Sequence, residues 1–178
     1  MIIKPSVKPT VSLMSIRNII AKRVDQLCTA MGTALYQVQG VEEILAKYYA
    51  IVFKLSDSPS LDQITEEFDR NFTHTAGRLV GLLREKRGED DPIAIRLSSF
   101  VDKRAWLVHK LRRTNYLNLK TEEGYLEILQ RISKLEKESE ALIELFHNLL
   151  IDYFVSLGTP REVIQREQEK AIKEVYEE

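Results

Sequence analysis

TEEGYLEILQRISKLEKESEALIELFHNLLIDYFVSL, residues 121–157, decides the fold class. Apolar side chains recur at Ile128, Ile132, Leu135, Leu142, Phe146, Leu149 and Tyr153, with Ser139 in the same row. The steps alternate between four and three, which places one seam along a single long helix. At about 1.5 Å per residue that helix reaches about 55 Å. Thr121 followed by Glu122 and Glu123 opens it, because a hydroxyl cap and early carboxylates suit unpaired N–H groups. Gly158-Thr159-Pro160 closes it with a glycine at the C′ position.

The same periodicity extends outward. Between Ile16 and Leu55 the apolar positions are Leu27, Met31, Ala34, Leu35, Val38, Val41, Ile44, Leu45, Tyr48, Ile51 and Val52. This spacing predicts a second long helix, in which Gly32 and Gly40 mark a kink or a close helix contact. Ser56-Asp57-Ser58-Pro59 breaks the run, and Ser60 with Gln63 reads as a capping box for a short helix to Arg70. A further short helix covers His74 to Arg87, with Leu79, Val80, Leu82 and Leu83 apolar. After the polar turn Gly88–Pro92, Ile93 to Arg113 forms the next helix. Pro160 to Tyr176 is a charged helix with a thin stripe of Ile164, Ala171, Ile172 and Val175. No strand pattern interrupts this order, so the class is all-α. The expected organisation is a basic arm over 1–15, a helical bundle over 16–158 and a helical extension over 159–178.

Composition narrows the functional classes. The 178 residues are 44% hydrophobic, and 26 Lys and Arg balance 27 Asp and Glu, so net charge selects no polyionic partner. Cys28 is the single cysteine, which excludes a disulfide framework and a thiolate-rich zinc site. No apolar run approaches the ~20 residues of a membrane helix. A cytoplasmic protein without membrane attachment is expected. Lys4, Lys8, Arg17, Lys22 and Arg23 precede the first acid, Asp25. With Pro5 and Pro9 they read as a basic arm rather than a targeting helix.

Motifs for phosphate loops, zinc proteases and nucleophile elbows are missing. Glu144-Leu-Phe-His147 is a lone E-x-x-H with no second copy, so no metal or cofactor is expected. The helix from Ile93 to Arg113 is different. At about 100° per residue its Leu97, Phe100, Val101, Leu107, Val108 and Leu111 share one stripe, and Arg104 falls inside it. A guanidinium there requires a carboxylate, an interface or a cavity. Glu42 or Glu43 of the first helix is the structural candidate for its partner. His109 lies beside Asp102, Ala105, Arg112 and Arg113. An imidazole among cations suits proton transfer at a 2′-hydroxyl next to a phosphate. Six Lys and Arg against one Asp between Arg96 and Arg113 make this segment locally basic. Trp106, opposite the stripe, is placed either to stack a base or to pack on a neighbouring helix.

Arg104-Ala-Trp-Leu-Val-His109 is an R-x4-H motif. It resembles the signature of HEPN domains, the nucleotide-binding domains of higher eukaryotes and prokaryotes. Thr75-Ala-Gly-Arg-Leu-Val-Gly-Leu-Leu-Arg84 and Leu119-Lys-Thr-Glu-Glu-Gly124 resemble flanking segments of bacterial HEPN-like proteins, and the likeness spans roughly Met31 to Gly158. The resemblance implies an antiparallel bundle that forms a homodimer, with the motif helices meeting at a shared cleft. It also implies a metal-independent endoribonuclease acting as a toxin or defence component, without a cofactor. His109 would be the acid–base group and Arg104 would hold the scissile phosphate, supported by Asp102, Trp106, Arg112 and Arg113. RNA is then the substrate, and an antitoxin or other partner protein would dock on the C-terminal helix.

The family usually carries a polar residue, often Asn, directly after the Arg, where this chain has Ala105. That departure keeps a second reading open: a non-catalytic helical interaction module with a degenerate site, docking its partner along the 121–157 seam and the charged tail.

Overall fold

The computed structural model describes residues 13–55, 61–72, 75–114 and 118–176, apart from the side chains of 13–16, 61, 64, 65, 72, 112, 114, 172, 175 and 176. The basic arm before residue 13, the breaker at 56–59, Ser60 and His74 lie outside them. The described residues form helices and turns without strands: α1 (Leu13–Phe53), α2 (Leu61–Phe72), α3 (Ala76–Arg87) and α4 (Pro92–Ala105), then α5 (Leu111–Thr114), α6 (Glu122–Ser156) and α7 (Arg161–Tyr176). A π-helical turn, Trp106–Lys110, joins α4 to α5, and a 3₁₀ turn, Asn118–Lys120, precedes α6.

Local chemistry sets the boundaries. The Thr75 hydroxyl accepts from the Arg78 N–H at the start of α3, and the Thr121 hydroxyl accepts from the Gly124 N–H at the start of α6. Asp91 Oδ1 accepts from the N–H groups of Ile93 and Ala94, and Pro92 occupies the first turn of α4. Gly158, with φ 95°, ends α6 in a left-handed conformation that suits glycine.

The core is the seam between α1 and α6. Val38, Val41 and Leu45 of α1 are buried with Ile132, Leu135, Leu142 and Phe146 of α6. Each such side chain stabilises the fold by roughly 1.5–3 kcal/mol relative to exposure. Tyr48 meets Phe146 edge-on at 5.1 Å between ring centroids. At the other end, Tyr125 donates its hydroxyl to Gln26 Oε1 at 2.8 Å, and Arg23 pairs with Glu122 and donates to the Leu119 carbonyl at 2.9 Å. A Cβ on Gly40 would stand 3.0 Å from Ile143 Cδ1, so that glycine marks the close helix contact its position suggests.

These contacts climb both helices together, so α1 and α6 run parallel. The antiparallel expectation therefore fails for the two longest helices. Against α6, α4 runs the other way: Lys103 reaches Glu138 and the later Trp106 reaches the earlier Arg131. Two further expectations shift. Leu150 takes the buried place expected of Leu149 and Tyr153, because a straight helix drifts against a seven-residue repeat. The tail α7 packs little: Val163 and Ile164 are half-buried while Ala171 is exposed. Among the described residues no helix is long and apolar enough to cross a membrane.

Two consequences can be measured. A Cβ on Gly124 would lie 2.6 Å from the Asn118 carbonyl oxygen, a backbone atom that cannot swing aside, whereas Gly32 has nothing within 4 Å. Gly124→Ala should cost about 1–3 kcal/mol and Gly32→Ala should gain about 0.5–1 kcal/mol in denaturant unfolding. Equal effects at the two sites would contradict this packing.

The second concerns Asp91. Burial alone would raise its pKa, but the Ala94 N–H, the Arg87 guanidinium and the Ile93 N–H together hold the carboxyl below 3.8. A depressed folded pKa adds stability above the unfolded value, and that stability disappears as pH falls through the folded one. The thermal advantage of wild type over Asp91→Asn should therefore be full at neutral pH and shrink below about pH 4. An advantage unchanged at lower pH would exclude the carboxylate as its source.

Candidate functional site

The site helix runs from Pro92 to Thr114 with the π turn inside it. Leu111 donates its backbone N–H to the Trp106 carbonyl, five residues back. A π turn spreads one revolution over more residues than an α turn, so side chains beyond Trp106 face a direction that α-helical spacing does not give. Leu97, Phe100, Leu107 and Leu111 of the expected stripe are buried, but Val108 is 43% exposed. Trp106, expected on the opposite side, is buried to 6% exposure. Its indole packs on α6, with Arg131 Cζ 3.8 Å from the ring centroid. Of the two placements open to this residue, the structure adopts packing on a neighbouring helix.

Arg104 finds the carboxylate its position demands. Its Nε donates to Glu42 Oε1 at 3.0 Å, with the two side chains 31% and 27% exposed. Glu43, the other candidate, pairs instead with Lys47 one turn along α1. Among the described residues only Nε of Arg104 is engaged, so the donors of its terminal nitrogens are not used by Glu42.

His109 sits in the π turn and is exposed, and its imidazole makes no hydrogen bond or ion pair to another described residue. Asp102 and Arg113 are also exposed, and no hydrogen bond links Asp102 to His109. Arg112 lies in α5, and its side chain is outside the described residues. The basic segment is partly compensated across the bundle, because Lys103 is paired with Glu138 as Arg104 is with Glu42. Glu138 and Arg131 are the residues that the sequence reading of this site lacks. Both belong to α6, and nothing local to the 96–113 segment points to them.

Glu144 and His147 are exposed, and no group of three His, Cys, Asp or Glu side chains among the described residues could hold a metal ion. Compared with known proteins, the chain matches no family model, no curated protein and no solved structure.

The arrangement offers an exposed imidazole and a guanidinium fixed at one edge by Glu42. A double-mutant cycle on Arg104→Ala and Glu42→Ala, followed by urea unfolding, should give a coupling of about 1 kcal/mol for this half-buried pair. Additive effects of the two substitutions would show that the ion pair adds nothing to stability.

Proposed function

We propose that this chain is a HEPN-like, metal-independent endoribonuclease or RNA-binding toxin or defence component, acting at a cleft formed by the motif helices of a homodimer. The observation that supports it is the π turn that presents His109 to solvent one turn beyond Arg104. Such interruptions of a helix frequently coincide with functional sites. In this reading neutral His109 takes the proton of a 2′-hydroxyl, whose oxygen attacks the adjacent phosphorus. The P–O5′ bond breaks, leaving a 2′,3′-cyclic phosphate, and the departing 5′-oxygen takes a proton from solvent water. Arg104, held at Nε by Glu42, offers its terminal N–H groups to the charged phosphate oxygens. No metal or cofactor takes part. The bundle around the site would be the antiparallel core that α4 builds against its neighbours.

RNA cleavage in EDTA tests this reading. Wild type should cleave, and His109→Ala should lose at least ~100-fold in rate, the usual scale for a lost acid–base group, while keeping its helix content and oligomeric state. Cleavage by His109→Ala at the wild-type rate would sink the assignment.

A second reading rests on a specific observation. Glu42 already neutralises the motif arginine, and Ala105 supplies no polar group beside His109. These features fit a non-catalytic interaction module, with the exposed α7 as the docking element for an antitoxin or other partner. A folded wild type that leaves RNA intact would favour it.

A further inference from the structure

We infer that Arg131 is a phosphate-binding residue, held over Trp106 so that its donors meet the backbone of single-stranded RNA. The inference rests on the RNA reading above and extends its site from α4 to α6. The two cations that the motif region offers across the bundle, Lys103 and Arg104, are each paired with a carboxylate. Arg131 is not. Among the described residues no Asp or Glu lies within ion-pair distance of it, and its guanidinium lies over the face of the indole. Stacking occupies the face of a guanidinium, whereas its N–H donors lie in its plane. The side chain is therefore fixed without spending the groups that bind an anion. Its residue is exposed, so an anion can reach it.

Its location suits the purpose. Trp106 and His109 belong to the same π turn, about 4–5 Å apart along the helix axis. A strand whose scissile phosphate sits at His109 and Arg104 then has a neighbouring phosphate near Arg131. Buried under Arg131, Trp106 positions a cation rather than a base.

The test measures binding of a labelled single-stranded RNA by fluorescence anisotropy in EDTA at several salt concentrations. His109→Ala serves as the parent so that the RNA stays intact. Arg131→Gln on this parent should weaken binding about tenfold, the usual scale for a lost charged hydrogen bond. It should also flatten the salt dependence by about 0.7 in the logarithmic slope, as for one lost phosphate contact. Arg131→Lys keeps the charge but not the planar stack, and should restore the slope and only part of the affinity. Lys137→Gln, on another face of α6, should change little. Unaltered affinity and slope in Arg131→Gln, or an equal loss in Lys137→Gln, would overturn the assignment of Arg131 while leaving the RNA reading intact. A folded parent that binds no RNA would overturn both.

Discussion

The close contact of α1 with α6, made where Gly40 lets Ile143 approach, governs the rest of the molecule. Two long helices in parallel register cannot be joined by a short loop. The chain must return the length of the bundle before the second can begin. The return is made by α4, the π turn and α5, and the 3₁₀ turn, held by Arg23 of α1 at the Leu119 carbonyl, then leads into α6. The site helix is thus the connection that the parallel pair requires. Its buried face touches both long helices, which explains why its cations meet carboxylates from each: Glu42 on α1 and Glu138 on α6.

The π turn is where the demands on this connection conflict. Leu97 and Phe100 face the core before it, Leu107 within it and Leu111 after it, while the indole of Trp106 fits against α6. A uniform α-helix would turn Val108 inward. One widened turn leaves it exposed, at the cost of weaker helical hydrogen bonding over a few residues, while α6 covers the face of Trp106 that also carries Lys103. His109 lies exposed in the same turn, so the core and the site share a single local distortion.

Much of this is legible in the residues. The seam of α6, the boundary signals Thr75, Asp91 and Thr121, and the glycine after α6 follow from local chemistry that tertiary context does not override. The need of Arg104 for a carboxylate is also legible, because a charge in an apolar stripe is costly wherever it sits. Helix direction is not. A period of three and four reads the same in either direction, so it cannot tell that α1 and α6 run parallel. The π turn leaves no mark either, since the spacing of apolar residues over 97–111 reads as a regular α-helix. Arg131 escapes because only the packed bundle joins it to Trp106.

Trp106 has a consequence of another kind. It is the chain's single tryptophan, and it lies at the junction of α4 with α6 beneath a guanidinium. Excited beyond the absorption of its seven tyrosines, the protein therefore emits from one indole at one joint. Its wavelength and yield depend on the water and the charge around that ring. Any event that parts the two helices or draws Arg131 away is recorded by light from a single address, with no label attached.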